Sequence, residues 1–259
     1  MTGSEQSAGT AVRIVQLYPQ ELGVTGDRGN VRALETRLER AGIPVEVVPV
    51  GIGDALPEQL DVIVIGNGPL SAMRGVHADL AERRARLHAE IEAGAVLLAV
   101  GAGAELLSGG VALLDGEEVA GLGLLPFRVE RTRQRRVGYL IAETEHGRLI
   151  GFEDHASTWH LEDGATPYGA VSSGKGTFPH GTGRGESVRA RNAFATNVQG
   201  PVLPLNPQLS DALLRIVAER RGLSYGVGEG HEALDRLAAG ARAAIEERVD
   251  GEVFTYMQV

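Results

Sequence analysis

Apolar residues in the first half of the chain fall in short, nearly unbroken runs separated by stretches in which they recur at helical spacing. Residues 12–17 predict a first strand, Val45–Val50 after Pro44 a second, Asp61–Ile65 a third and Val96–Val100 a fourth. The third and fourth runs are almost wholly apolar, as in strands covered on both faces. Between them the period changes. A loop of turn formers ends at Gly29-Asn30, where Asn30 is placed to cap a helix reaching about Arg40. Residues 76–93 carry apolar positions at helical spacing and stop at Gly94, and a glycine-rich turn after Val100 leads into a short helix over Ala104–Leu107. Strands alternating with helices predict the α/β class, with a doubly wound, mostly parallel sheet flanked by helices. Ligands gather at the carboxyl ends of such strands, so the loops after residues 17, 65 and 100 are expected to converge.

The second half is less periodic. Leu122–Glu130, Val137–Ala142 and Phe194–Val198 predict strands, and Pro207–Arg221 a helix opening on Asn-Pro. One domain is expected over residues 12–221, behind a polar, disordered tail at 1–11. Residues 222–259 start with a glycine-rich linker and continue into a helix over about 231–248, which either packs on the body or docks a partner. No internal repeat is visible.

Composition narrows the chemistry. With 259 residues, 43% of them hydrophobic, a sizeable core is within reach, and an aromatic content of 4% means that Leu, Val, Ile and Ala must build it. A net charge of -9 gives no general attraction to phosphate backbones or anionic membranes, so nucleic acid and membrane are poor partners. Arg131, Arg133, Arg135 and Arg136 form a local basic patch. No apolar run is long enough to cross a bilayer and residues 1–11 lack an apolar signal core, so a cytoplasmic protein is expected. The chain has no cysteine, which excludes disulfides, thiolate metal sites and any thiolate nucleophile. His155 and His160 have no evident third ligand, and neither a metal nor a cofactor is expected.

Val100-Gly101-Ala102-Gly103-Ala104 lies between a strand and a helix. A sharp strand–turn–helix with small flanking residues is the geometry of a nucleophile elbow, in which the apex side chain stands over backbone N–H groups. Here the apex is glycine, so the segment also reads as a close-packed turn.

Other segments give that turn a context. Leu17-Tyr18-Pro19, Gly26-Asp27-Arg28-Gly29-Asn30, Gly66-Asn67-Gly68, Leu97-Leu98-Ala99-Val100, Gly121-Leu122-Gly123, Gly151-Phe152-Glu153-Asp154-His155 and Gly200-Pro201-Val202-Leu203 through Asn206-Pro207 occur in this order. Together they resemble the cobyric-acid-synthase-like branch of the class I glutamine amidotransferases, most nearly the glutaminase subunits of lipid II isoglutaminyl synthase, over about residues 12–221. The resemblance implies a flavodoxin-like sheet. In that family the run after the fourth strand reads Ala-Val-Cys-Gly-Gly-(Tyr)-Gln-Leu-Leu, so the nucleophilic cysteine corresponds to Gly101 and the glutamine to Glu105. The family's later Thr-Tyr-Leu-His-Gly-Pro corresponds to Thr196–Pro201, and its base histidine to Gln199. Glycine has nothing with which to attack a carboxamide, and a glutamine side chain has no nitrogen that titrates near neutrality. Both halves of the thiol–imidazole pair are therefore missing. The family's Gly-Gly-Gly loop is here Gly66-Asn67-Gly68, so several features of the site have drifted together.

The resemblance implies further roles. N–H groups near Gly68 and Ala102 would form a vestigial oxyanion or ligand pocket, open to an amino acid. Arg135, with Arg136 as second choice, matches the family's arginine for the substrate α-carboxylate; a solvated basic loop is the simpler reading. Tyr18, Asp27, Arg28 and Asn30 belong to a loop that either holds itself together through Asp27 and Arg28 or contacts a partner. Asp154, His155 and Ser157 supply carboxylate, imidazole and hydroxyl in one short segment, although sequence neighbours rarely converge; Glu153 and Asp154 read more simply as hydrogen-bonded loop residues, and His180 and His231 as exposed. The family's partner is a Mur-ligase-like ATP-dependent synthetase, in a heterodimer or larger assembly. A non-hydrolytic subunit of such a ligase is the leading expectation. An active amidotransferase using another nucleophile, and an amino-acid-binding regulator, are the alternatives.

Overall fold

A computed structural model describes residues 11–179 and 184–249, and the backbone of 255–258. The first half builds β1 (Val12–Leu17), α1 (Arg28–Arg40), β2 (Val45–Val50), β3 (Val62–Ile65), α2 (Leu70–Glu82), α3 (Arg84–Glu92), β4 (Val96–Val100) and α4 (Ala102–Leu107). The second adds β5 (Gly110–Ala112), β6 (Glu118–Ala120), β7 (Phe127–Thr144), β8 (Gly147–Leu161), β9 (Gly169–Ser173), β10 (Phe178–Pro179), β11 (Arg184–Glu186), β12 (Val188–Ala190), β13 (Ala193–Thr196) and β14 (Val198–Gln199). Helices α5 (Val202–Leu205), α6 (Pro207–Arg221) and α7 (Glu229–Val249) and strand β15 (Thr255–Gln258) follow.

The first sheet runs β12-β13-β4-β3-β1-β2. It is parallel except where β12 turns back on β13. Successive strand residues point to opposite faces, and both faces here are covered. Ile14, Val62, Val64, Val96 and Leu98 meet α1 and α6 through Leu34, Leu38, Leu213 and Val217. Val15, Ile63, Ile65, Leu97 and Ala99 meet α2 and α3 through Met73, Val76, Leu80, Leu87 and Ile91. That double cover is why these strands read as unbroken apolar runs.

A second sheet, of nine strands among the described residues, is built around the long antiparallel hairpin β7–β8. Its core contains the stacked pair Phe127–Trp159, with ring centroids 4.4 Å apart, and Phe178 set edge-on to both.

Several expectations require correction here. Helix α1 starts at Arg28 with Asp27 at its cap position, and Asn30 lies inside it, its side chain turned to the short helix α5. The helix expected over 76–93 is two helices meeting at Arg83, whose guanidinium binds the Asp79 carboxylate at 2.6 Å and the Asp54 carbonyl at 2.8 Å. Only the end of Leu122–Glu130, from Phe127 on, and all of Val137–Ala142 belong to one strand, β7, whose register on β8 slips between Arg131 and Arg136. Glu153 and Asp154 sit in β8, not in a loop. Phe194–Val198 is shared between β13 of the first sheet and β14 of the second.

Helix α7 packs on the body. The buried Arg37 guanidinium donates to both oxygens of Asp211, at 2.6 and 2.8 Å, and to Asp235 of α7 at 2.7 Å. His231, expected to be exposed, is buried: Nδ1 accepts the Gly228 N–H at 3.2 Å and Nε2 lies 3.0 Å from the Arg37 carbonyl. His180 lies outside the described residues. Among the described residues no helix is long and apolar enough to cross a membrane.

Candidate functional site

The loops after β1, β3 and β4 converge. The Val24 N–H reaches the Asn67 carbonyl at 3.2 Å and the Asn67 N–H reaches the Asp27 carboxylate at 3.1 Å, while the Gly103 N–H donates to the Gly66 carbonyl at 3.1 Å. Packing at this junction leaves no room for side chains: a Cβ at Gly103 would stand 2.6 Å from the Gly66 carbonyl oxygen.

The apex of the turn, Gly101, has φ 53° and ψ -119°. An L-residue adopts such angles only under strain, and elbows hold their nucleophile this way. The backbone of an elbow is therefore present without its side chain. Asn67 stands over the apex: its Oδ1 accepts the Ala102 N–H at 2.9 Å. A Cβ on residue 101 would come within 2.3 Å of that oxygen and 2.4 Å of the Asn67 Cγ. The carboxamide of Asn67 thus occupies both the space above the apex and the Ala102 N–H. Gly68, the other residue expected at the pocket, packs under the loop after β1, with the Glu21 carbonyl 2.6 Å from where its Cβ would be.

Gln199 is 6% exposed and sits on β14 opposite Phe152. Glu105, one turn into α4, is buried and receives the Arg131 guanidinium. Burial pushes the Glu105 carboxyl upward, and Arg131, Ser157 and Trp159 oppose that shift. Arg131 is thus the cation that reaches the elbow helix. Arg135 is held outside by Asp154, with both side chains about a third exposed. Arg136 donates to the carbonyls of Ser157 and Gly176, at 3.1 and 3.0 Å, and to the Thr158 hydroxyl at 2.9 Å.

Asp154, His155 and Ser157 do not converge on one reacting point. Asp154 turns to Arg135, and the His155 Nδ1 lies 3.0 Å from the Ser157 carbonyl rather than the hydroxyl. Burial, with the positive charge of Arg136, lowers His155 to about 3, so the imidazole is neutral at physiological pH. Glu153 accepts the N–H groups of Lys175 and Gly176 at 2.8 and 2.9 Å, yet burial raises it to about 7. His160 lies on the exposed side of β8 against Glu130, away from the buried His155.

The loop residues Tyr18, Asp27 and Asn30 are buried. The Tyr18 hydroxyl donates to Asp79 at 2.6 Å, the Asp27 carboxylate holds Asn67 and Thr25, and Asn30 Oδ1 accepts the Leu203 N–H at 2.9 Å. Only Arg28 of the four presents its side chain to solvent. The internal network of this loop therefore runs from Asp27 to Asn67, not to Arg28.

Sequence reasoning did not pick out Asn67 or Arg131. The first differs from the family's glycine, but its target is 35 positions away. The second had a local signal: Glu105 is a carboxylate in an otherwise apolar helical turn, and a buried carboxylate needs a cation or hydrogen-bond donors nearby.

The chain is similar to several known proteins. The chain is 28% identical over 217 residues to the lipid II isoglutaminyl synthase (glutamine-hydrolyzing) subunit GatD of Staphylococcus aureus, covering 82% of this chain and 86% of that one. It is 27% identical over 214 residues to the subunit of the same name from Streptococcus pneumoniae, covering 81% and 82%. Among solved structures, a glutamine amidotransferase superposes with a TM-score of 0.50 at 22% identity, over 81% of this chain and 99% of that one. Another from Thermotoga maritima gives 0.50 at 14%, over 93% and 99%. Residues 13–206 match the CobB/CobQ-like glutamine amidotransferase domain, and with that match over most of its length the chain belongs to this family.

Proposed function

We propose that the protein is a non-hydrolytic, amidotransferase-like subunit that docks on and supports a Mur-ligase-like, ATP-dependent amide-forming synthetase in the cytoplasm. The observation that carries this reading is the elbow itself. Its apex has no side chain, the family's base position holds a carboxamide, and Asn67 fills the space in which a substrate carboxamide would be attacked. Hydrolysis of glutamine by this family's route needs a thiolate and a proton acceptor; the chain has no cysteine, and position 199 offers a carboxamide that does not titrate. The chain also has no phosphate-binding Gly-x-x-x-x-Gly-Lys-Ser/Thr motif, so the ATP-dependent step belongs to the partner. The synthetase would take ammonia or another amine from solution.

An active amidotransferase working through Asp154, His155 and Ser157 is disfavoured by the divergence of those side chains. A regulator sensing an amino acid at the elbow is disfavoured by the Asn67 carboxamide already seated there.

Co-expression with a Mur-ligase-like synthetase tests the proposal. A stable complex is expected to amidate its carboxylate with ATP and ammonium, and not with glutamine. A monodisperse monomer that ignores such a partner would contradict it.

A further inference from the structure

A cavity of about 610 Å³ lies between the body and the C-terminal helix α7. It falls outside the elbow: neither Asn67, Gly101 nor Ala102 lines it. Its walls are almost entirely apolar, formed by Phe152, Leu203, Leu234, Ala238, Ala241 and Ile245 among others. Gln199 also lines it, and this residue is 6% exposed with a side-chain amide that bonds to no described residue. That amide faces the cavity with its donor and acceptor uncommitted within the described residues, so it is placed to bond a guest seated there.

We infer that this cavity is a binding site for a neutral amphiphile, an aliphatic chain or ring ending in one amide, alcohol or ester, read by the Gln199 carboxamide. Size, lining and head group each support the assignment. Small-molecule sites are typically about 300–1,000 Å³, mostly apolar, with a few placed polar groups. A carboxamide offers both a donor and an acceptor, so it pairs with a head that has either. A charged head is disfavoured because both cations in the wall are committed, the buried Arg37 to Asp211 and Asp235 and the exposed Arg32 to Glu35. A polar peptide is disfavoured by the walls; the sequence of residues 1–10, Met-Thr-Gly-Ser-Glu-Gln-Ser-Ala-Gly-Thr, has little to bury there. The site goes beyond the proposed ligase role, since it requires no synthetase and makes the family's base position part of a different pocket.

The test uses the full chain alone, titrated with decanamide and with decanoate by calorimetry and by thermal melting. Decanamide is expected to bind one to one and to raise the melting temperature, with decanoate weaker at neutral pH. Gln199→Leu should weaken decanamide about tenfold, the loss of one buried hydrogen bond. Ala241→Trp should fill the space and abolish binding, while its urea midpoint shows that the fold persists. No binding of decanamide, equal binding by both variants, or tighter binding of decanoate would each overturn the proposal. So would burial of the same cavity by a bound synthetase with no amphiphile bound to the free chain. A ligase complex that forms normally while decanamide fails to bind would sink this site and leave the proposed function standing.

Discussion

Adding one methyl group at the elbow probes how Asn67 and Gly101 depend on each other. Gly101→Ala places a Cβ about where Asn67 Oδ1 now sits, 2.3 Å away by construction. Two penalties follow. The φ of 53° becomes strained for a residue with a side chain, at about 1–3 kcal/mol. Asn67 must also withdraw, leaving the buried Ala102 N–H unpaired at about 1–3 kcal/mol. The sum is a loss of about 2–6 kcal/mol. Asn67→Gly alone incurs only the second penalty. In the double variant the collision is gone and the unpaired N–H is counted once, so the two substitutions should cost about 1–3 kcal/mol less together than separately, the size typical of contacting residues. Urea unfolding followed by the fluorescence of Trp159, the single tryptophan and fully buried, measures all four corners of the cycle. Additive losses, or a Gly101→Ala variant as stable as the parent, would refute the idea that Asn67 occupies the nucleophile's place.

Other outcomes follow from the surrounding charges. Glu153 ionises near 7 in the folded chain instead of 4.5, so the folded state holds its proton more tightly than the unfolded state. Its contribution is complete below about pH 4.5 and fades as pH rises to 7, worth about 3 kcal/mol; the stability gap between the parent and Glu153→Gln, measured by urea unfolding, should therefore shift in the variant's favour across that window and level off above it. Arg37→Leu strands the buried Asp211 and should cost about 3–5 kcal/mol in the same assay. Asp235→Ala removes a half-exposed partner of Arg37 and should cost no more than about 1 kcal/mol. Equal losses from these two would show that the Arg37–Asp211 pair does not dominate this network.

The apolar runs of β1, β3 and β4 disclosed the first sheet because both of their faces are covered. Strand β8 concealed itself: Glu153, His155 and Ser157 point inward where an alternating pattern would place apolar residues, so its segment read as a loop. The continuity of strand β7 was hidden by Arg131, Arg133, Arg135 and Arg136, and the slip in register beside them changes which residues face the elbow. That slip is why Arg131 reaches Glu105 while Arg135, favoured by motif spacing, meets Asp154. Glycine at position 101 and a carboxamide at position 199 were legible, because each is a single identity at a motif position. The role of Asn67 was not, since it depends on two loops meeting at the carboxyl edge of the sheet. Burial of His231 was equally remote from its polar sequence surroundings, being decided by the docking of α7 on Arg37.

Glutamate release tests the central claim most directly. Purified protein, alone and with a Mur-ligase-like synthetase, ATP and acceptor, is incubated with glutamine, and glutamate and ammonia are measured over time. No release above the buffer rate is expected in either mixture, while ammonium supports amidation in the second. Glutamine turnover that follows this chain and disappears on substitution of one of its own residues would contradict the account.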